Sequence, residues 1–366
     1  SLAINQPMQY NNVFVESLGY TLPAQVLSTA DLEKRLDPVY QRLSLPVGRL
    51  ELMTGIKERR FWQSGVLPGD KSIESGQQAI AAADFDVNNI GMLIHGSVCR
   101  DHLEPATSCR VHHALGLPSE CTIYDVSNAC LGQLNGIISA ANAIELGQVA
   151  AALVVGTEDS RALVENTIES LNSGSHWTRK TIKKAVASLT IGSASSAILL
   201  TNEATTTTGN RLCTATAQAN TQHHTLCQSG KDEAVADNMK PFMHTDSETL
   251  MVRGIETGVI TFARFLDESN WTRADIDKTV CHQVGSGHRK LMLESLGLPP
   301  EKDSTTFQWL GNTGSAALPV TWAFAAKANK IESGDKLALL GIGSGINCIM
   351  LGLEWNKSVV GTNSIR

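Results

Sequence analysis

The hydrophobic residues of this chain come mainly as short continuous runs. Two of them, "VAAALVVG" (149–156) and "KLALLGIG" (336–343), are too continuous for a half-exposed sheet and predict buried strands. Each follows a stretch of small residues that predicts a helix, over 134–147 and 315–334, with a glycine at its end. Strands therefore alternate with helices, and this alternation predicts an α/β fold.

The order of these elements is repeated. The tetrapeptide LGLP occurs at 115–118 and again at 296–299, and each copy follows an apolar run that predicts a strand, at 90–97 and 277–286. A polar residue, a small-residue helix, a glycine and a buried strand then follow in both copies. We interpret the pattern as a duplicated β-α-β unit with helices on both faces of buried mixed sheets.

A connector between the two halves is predicted from the Thr-rich stretch "TNEATTTTGN" (201–210), which is polar and turn-forming. It divides the chain into an N-terminal half, residues 1–203, and a C-terminal half, residues 204–366.

Composition narrows the classes of function. With 42% hydrophobic and 18% charged residues, the 366-residue chain has enough apolar mass for a large core. A net charge of −6 without a basic run speaks against nucleic-acid binding. No apolar stretch is long enough for a membrane span, and the polar N-terminus lacks the features of a secretory signal. We therefore expect a cytoplasmic protein.

Cysteine and histidine spacing does not suggest a metal site. The eight cysteines contain no CxxC pair and the ten histidines no HExxH motif. The expectation is that most of the cysteines are buried reduced thiols and that no metal is bound.

Three polar residues lie at related positions of the duplicated unit. Cys130 precedes the helix of the first copy, where the helix dipole favours a thiolate. His282 closes the first strand of the second copy, and Asn312 begins the helix that matches the one after Cys130. Taken singly, each could be a core, capping or turn residue. Their joint placement predicts that the three side chains converge.

A glycine-rich turn, "GIGSG" (341–345), follows a buried strand of the second half. It is a poor dinucleotide loop, because the last glycine of GxGxxG would fall on Ile346. A tight turn that offers backbone N–H groups to an oxyanion beside Cys130 fits it better.

With these features together, the chain resembles the thiolase superfamily of condensing enzymes, in particular the β-ketoacyl synthase III branch. The matching segments are "TGIKERRF" (54–61), "DVSNACLG" (125–132), "CHQV" (281–284), "GNTGSAALP" (311–319) and "GIGSG" (341–345). The resemblance implies a thiolase fold, a duplicated five-layer α-β-α-β-α arrangement with two pseudo-equivalent halves. It also implies a homodimer and a tunnel for coenzyme A or phosphopantetheine thioesters, which are substrates, so that no cofactor is expected.

Within that branch the segment "SVCRDHLEPATS" (97–108) is most similar to the OleA-type enzymes, which join two acyl-CoAs head to head. The resemblance implies that Glu104 reaches the partner subunit's active site. Pro105 restricts the residues before it, so we expect Leu103 to Pro105 to be extended and projecting. Gly285 and Gly287 stand where synthase III enzymes commonly carry Asn and Arg, which puts an acyl carrier protein partner in doubt.

The resemblance implies an acyltransferase that makes a C–C bond by Claisen condensation through an acyl group on Cys130. Backbone N–H groups of Cys130, Ser344 and Gly345 would hold the first oxyanion, and His282 and Asn312 the enolate of the second thioester. Two acyl-CoAs would give a β-keto acid, with Glu104 as base.

Three alternatives remain open. One is a decarboxylative 3-oxoacyl-ACP synthase III, which joins an acyl-CoA to malonyl-ACP in fatty acid or polyketide synthesis. A second is a papain-like protease, which shares the order Cys, His, Asn but has a different signature and fold. The third is a catalytically silent scaffold.

Overall fold

The computed structural model describes residues 5–230 and 242–365, which hold sixteen strands, twelve α-helices and six short 3-10 helices. The strands are β1 (Met8–Gln9), β2 (Phe14–Thr21), β3 (Gln25–Ser28), β4 (Glu58–Phe61), β5 (Ile90–Gly96), β6 (Thr122–Val126), β7 (Ala151–Glu158), β8 (Ala194–Thr201), β9 (Arg211–Ala219), β10 (Cys227–Ser229), β11 (Met243–Thr245), β12 (Lys278–Cys281), β13 (Asp303–Ser304), β14 (Lys336–Gly343), β15 (Asn347–Glu354) and β16 (Val360–Gly361).

The helices alternate with these strands. The α-helices are α1 (Thr29–Arg35), α2 (Asp37–Leu43), α3 (Arg49–Thr54), α4 (Pro68–Ala83), α5 (Thr107–Leu115), α6 (Gly132–Glu145), α7 (Arg161–Ser173), α8 (Lys183–Val186), α9 (Ser247–Ser269), α10 (Ser286–Leu296), α11 (Phe307–Leu310) and α12 (Ala317–Lys327). The 3-10 helices are Val87–Asn89, Ala187–Leu189, Thr221–His223, Arg273–Asp275, Pro300–Lys302 and Gly314–Ala316.

The central sheet shows the duplication directly. Its strands run in the order β13-β12-β14-β15-β9-β2-β8-β7-β5-β6, with β1 and β16 attached to the side. The two halves of this path meet at β9 and β2, which pair through Phe14 and Arg211. Read outward from that point, the order β2-β8-β7-β5-β6 matches β9-β15-β14-β12-β13. The parallel pairs of strands occupy corresponding places at the two outer ends.

The helices give the five layers. Helix α6 packs on β5, β7 and β8, whereas α12 packs on β2, β8 and β12, so these two lie between the halves of the sheet. Helices α4 and α5 cover the outer face of the first half, and α9 covers that of the second. One buried core cluster includes side chains of α6, α12 and both halves. The predicted α-β-α-β-α thiolase fold is confirmed.

Predicted boundaries were wrong for two elements. The strand expected over 277–286 is β12, which ends at Cys281, and α10 already begins at Ser286. The helix expected over 315–334 is α12, which ends at Lys327. Asn329 has a left-handed φ of 55°, and the N–H of Lys330 bonds to the carbonyl of Ala325, so the chain leaves the helix there. The glycine expected to end the helix, Gly334, instead donates its N–H to Trp355 in the turn before β14.

The Thr-rich stretch lies in the loop from Thr201, the end of β8, to Arg211, the start of β9. The division at residues 203 and 204 stays a prediction. In the ranges 5–230 and 242–365, none of the helices combines the length and apolar character needed to cross a membrane.

Close backbone packing positions the start of α6. A Cβ on Gly96, the last residue of β5, would lie 2.6 Å from the carbonyl oxygen of Gly132, the first residue of α6. This contact therefore requires glycine. It brings the start of α6, and the residues just before it, against the carboxyl end of β5.

Candidate active site

A cavity of about 300 Å³ opens where the two halves meet, and Cys130, His282 and Asn312 all line it. Its lining is largely apolar, with Leu163, Ile191, Met243, Leu250, Met251 and Ile342 among the side chains. An apolar cavity with a few convergent polar groups is the usual form of a small-molecule site.

Cys130 lies in a sharp turn between β6 and α6. The preceding residue, Ala129, has a φ of 46°, in the left-handed region that costs a residue with a side chain about 1 kcal/mol. The N–H of Leu131 bonds to the carbonyl of Asn128 at 2.9 Å and closes the turn. Helix α6 begins at Gly132, so Cys130 stands two residues before its first helical residue. The turn exposes the Cys130 side chain to the cavity.

The expected preference of Cys130 for the thiolate is not found. Burial, together with the nearby Glu158 and Cys227, raises the pKa of the Cys130 thiol to about 12. The helix dipole is a weaker influence here, because its effect falls off within the first turn and Cys130 lies outside α6. At pH 7 the Cys130 side chain is therefore a thiol, and it would have to lose its proton to act as a nucleophile.

His282 follows the last residue of β12, and its N–H bonds to the carbonyl of Leu340 in the adjacent β14. The side chain is 7% exposed, and its Nδ1 has no hydrogen-bond partner among the described residues. Burial, together with the neighbouring His288, lowers the pKa of His282 to about 3. The imidazole is thus neutral at pH 7 and can donate one hydrogen bond into the cavity.

Asn312 does not begin a helix directly. It precedes the 3-10 turn Gly314–Ala316, after which α12 starts at Ala317. Its side-chain oxygen accepts a hydrogen bond from the N–H of Gly314 at 3.0 Å. This bond fixes the amide orientation and leaves the Nδ2 donor for a ligand in the cavity.

The GIGSG turn connects β14 to β15. Ser344 lines the cavity beside Gly343, and a Cβ on Gly343 would lie 3.7 Å from the backbone nitrogen of Cys130. Gly345 has a φ of 122°, a conformation that favours glycine. The turn that was expected to supply oxyanion donors therefore lies next to Cys130.

Several polar residues of the cavity were not predicted, among them Glu158, His288 and Cys227. Glu158 ends β7, is 6% exposed and accepts hydrogen bonds from the N–H groups of Cys99 at 2.9 Å and Ser315 at 3.1 Å. Burial raises the pKa of Glu158. The signal was available, because β7 corresponds to β14, and a polar residue at its end should face the same edge of the sheet. The other two residues, His288 and Cys227, lie on α10 and β10.

Glu104 lies outside the cavity. It is exposed in the single chain and is not among the residues that line the cavity. The segment Leu103 to Pro105 bends, so the expectation of an extended form was wrong. The loop is held by Asp101, which accepts hydrogen bonds from Arg110 and from the N–H of Gly69. Its exposed tip, with Leu103 51% exposed, still projects from the body of the chain.

Among the described residues, no three His, Cys, Asp or Glu side chains form a group that could hold a metal ion.

Comparisons with known proteins agree with the fold. The family "Thiolase, N-terminal domain" matches residues 70–199, and "3-Oxoacyl-[acyl-carrier-protein (ACP)] synthase III C terminal" matches residues 266–355. An acyl-CoA:acyl-CoA alkyltransferase of Shewanella oneidensis is 43% identical over 95% of this chain and 100% of its own length. A protein of the same name from Xanthomonas campestris is 31% identical over 95% of this chain and 100% of its own. A β-ketoacyl-[acyl-carrier-protein] synthase III of Koribacter versatilis is 24% identical over 93% of this chain and 97% of its own.

Solved structures similar to this chain include those of an enzyme of the same kind. A crystal structure of Xanthomonas campestris OleA superposes with a TM-score of 0.89 at 31% identity, over 95% of this chain and 98% of that one. Another, with bound lauric acid and lauroyl-CoA, has a TM-score of 0.88 at 31% identity, over 94% of this chain and 100% of that one. Other structures of that protein carry substitutions of a histidine or a glutamate.

Proposed function

We propose that this chain, which belongs to the acyl-CoA:acyl-CoA alkyltransferase family of the thiolase superfamily, condenses two acyl-CoAs into a β-keto product through an acyl group carried on Cys130. The observation that carries the proposal is the convergence of Cys130, His282 and Asn312 on one largely apolar cavity. An apolar lining suits a fatty acyl chain, and the few polar groups suit its thioester.

The first step transfers an acyl group. The Cys130 sulfur forms a bond to the thioester carbon, the carbon–sulfur bond to coenzyme A breaks, and the thiol proton ends on the coenzyme A sulfur. Because the pKa of Cys130 is about 12 and that of His282 about 3, both groups are neutral before the reaction. The proton therefore leaves as the new bond forms. Backbone N–H groups of Cys130 and of the Ser344–Gly345 turn stabilise the tetrahedral oxyanion.

The second step forms the carbon–carbon bond. A second acyl-CoA loses an α-proton to a base, and its carbonyl oxygen gains negative charge. His282 and Asn312 donate hydrogen bonds to that oxygen, and both supply a neutral donor at pH 7. The α-carbon then bonds to the acyl carbon, and the bond from that carbon to the Cys130 sulfur breaks. Hydrolysis of the resulting β-ketoacyl-CoA gives the β-keto acid.

Glu104 is the proposed base, and it acts in a homodimer. In the single chain it is exposed at the tip of a projecting loop and does not line the cavity, so it can serve only another copy's cavity. The exposed Val98 and Leu103 on the same loop give this surface the apolar character that a subunit interface would cover.

The experiment supplies a long-chain acyl-CoA alone, or together with malonyl-CoA or malonyl-ACP, and identifies the products by mass spectrometry. Condensation of the acyl-CoA alone supports the proposal. Condensation that requires a malonyl donor favours the decarboxylative alternative. A chain that forms neither an acyl-enzyme nor a product would contradict both.

The base is tested in the same assay with Glu104→Gln. This variant should still acylate Cys130 but should fail to condense two simple acyl-CoAs, because the amide cannot accept the α-proton. Glu203→Gln, which alters an exposed carboxylate in the loop between β8 and β9, is the matched control and should condense normally. Wild-type condensation by Glu104→Gln would remove Glu104 from the mechanism.

A further inference from the structure

Three asparagine side chains join the Cys130 turn to the GIGSG turn. The Nδ2 of Asn128 donates to the side-chain oxygen of Asn135 at 2.7 Å and to that of Asn347 at 3.0 Å. The Nδ2 of Asn347 donates to the carbonyl oxygen of Ser344 at 3.1 Å. We call Asn128, Asn135 and Asn347 the asparagine clasp. Asn128 and Asn135 belong to the first half of the chain and Asn347 to the second, so the clasp connects the halves at the active site.

The second-half end of the clasp fixes a peptide group. Because a peptide is planar, holding the carbonyl of Ser344 also fixes the direction of the N–H of Gly345. Asn347 begins β15 and pairs with Gly343 in β14, so its own backbone is anchored in the sheet. Its side chain thus holds the three-residue turn 344–346 in a fixed position relative to the sheet.

The first-half end of the clasp holds the turn that carries the nucleophile. Asn128 lies two residues before Cys130, and its carbonyl accepts the N–H of Leu131. Ala129, between them, is held in a left-handed conformation that must be stabilised by its surroundings. The side chain of Asn128 supplies such an anchor, because it is bonded both to α6, through Asn135, and to β15.

We propose that Asn128 and Asn347 are positioning residues that set the distance between the two sources of oxyanion donors, the N–H of Cys130 and the Ser344–Gly345 turn. This inference rests on the proposed function, since it concerns the oxyanion formed during acyl transfer. Neither asparagine is among the described residues that line the cavity, so both act through the backbone rather than on the substrate. Misplacing one donor of an oxyanion site lowers the rate by about 100-fold.

The test separates two reactions of the same sulfur. Acylation by a long-chain acyl-CoA passes through an oxyanion and needs both donors. Alkylation by iodoacetamide displaces iodide from carbon and forms no oxyanion. In Asn347→Ala and Asn128→Ala, the acylation rate at saturating acyl-CoA should fall about 10- to 100-fold. The half-saturating acyl-CoA concentration and the alkylation rate of Cys130 should each stay within about twofold, because neither depends on the oxyanion.

Two further variants sharpen the result. Asn347→Asp keeps an acceptor for Asn128 but cannot donate to Ser344, so it should acylate as slowly as Asn347→Ala. Asn88→Ala is the matched control, because Asn88 is exposed and bonds only to the neighbouring Asp86 within the described chain. It should react like the wild type.

The outcomes are distinct. If acylation stays at the wild-type rate in both alanine variants, the clasp does not position the donors. If acylation and alkylation fall together, the clasp places the sulfur or supports the fold, and the proposal is equally wrong. If one alanine variant does not fold, the other alanine variant and Asn347→Asp still test the proposal. Failure of the proposed function looks different, because the wild-type chain itself would then not be acylated.

Discussion

Two buried histidines at the ends of corresponding strands differ in their hydrogen-bond partners. His95 lies at the end of β5 in the first half, and its ring nitrogens contact the hydroxyls of Ser72 at 3.0 Å and Ser97 at 3.3 Å. His282 follows β12 in the second half, and its buried Nδ1 has no partner among the described residues. Burial lowers the pKa of both. Burial alone therefore does not separate the two histidines, whereas the unpaired nitrogen of His282 beside the cavity does.

The cysteines of the cavity show the same contrast. The sulfur of Cys99 donates to the carbonyl of Asp159 at 3.5 Å and accepts from its N–H at 3.4 Å. No residue that the structure describes hydrogen-bonds to the sulfur of Cys130. Both thiols line the cavity, and burial raises the pKa of both, so pKa again does not separate them.

The largest effect is expected for Cys130→Ala. Removing the nucleophile should lower condensation by at least about 1,000-fold, because the proposed acyl intermediate is carried on its sulfur. Intact-protein mass spectrometry after incubation with acyl-CoA should show one acyl adduct on the wild type and none on the variant. Peptide mapping that places the adduct on Cys99 or Cys281 would contradict the comparison.

The two histidines should respond in opposite ways to the same substitution. His282→Asn should lower kcat by about 100-fold or more, since a donor to the developing enolate is altered, while the free energy of unfolding changes little. His95→Asn should lower the free energy of unfolding by about 1–3 kcal/mol, because buried hydroxyls lose their partner. Its kcat per folded molecule should stay near the wild-type value.

Steady-state kinetics and urea unfolding of both variants at pH 7 measure the difference. If His95→Asn lost as much activity as His282→Asn at full stability, the distinction between the paired and the unpaired imidazole would be wrong.

Much of this architecture could be predicted because the duplication is visible in local patterns of apolar and small residues along the sequence. The strand at 336–343 was predicted to the residue, since continuous apolar runs identify buried strands. Cys130, His282 and Asn312 were found because the carboxyl ends of corresponding strands meet at one edge. Glu158 was missed although its place at the end of β7 indicated it, whereas the approach of His288 and Cys227 to the cavity depends on packing between elements far apart in the chain. The thiol state of Cys130 was missed for the same reason, since burial is a property of the assembled fold.

A smaller effect is expected for the loss of stability of the protein as the pH is lowered. The pKa of His282 is about 3 in the folded protein and about 6.5 when unfolded, so the unfolded chain binds the proton first as the pH falls. Its contribution to stability is complete above pH 6.5 and is lost progressively as the pH falls toward 3. At pH 5 the loss is about 2 kcal/mol. Between pH 7 and pH 5, the free energy of unfolding of the wild type should therefore fall by about 2 kcal/mol more than that of His282→Asn. Equal losses in urea titrations at the two pH values would show that His282 is not desolvated.

The smallest effect is expected for His288, which tests how far an unpaired atom indicates function. Its Nδ1 is buried without a partner among the described residues, and its ring lines the cavity from the first turn of α10. Burial lowers the pKa of His288 to about 4, so at pH 7 the ring is neutral and His288→Asn changes no charge. A neutral ring here can add one hydrogen bond to the bound thioester, worth about 1 kcal/mol.

We therefore expect His288→Asn to lower kcat/KM for acyl-CoA about three- to tenfold, mainly through KM, far less than His282→Asn. His113→Asn on the exposed face of α5 is the matched control and should leave kcat/KM unchanged. A kcat/KM within twofold of the wild type would show that an unpaired buried nitrogen in the cavity wall is not sufficient to indicate a role. A loss as large as that of His282→Asn would place both imidazoles in the condensation step. The intermediate result separates them, because the hydrogen bond of His282 strengthens as the enolate forms, whereas that of His288 is equally strong before and during the reaction.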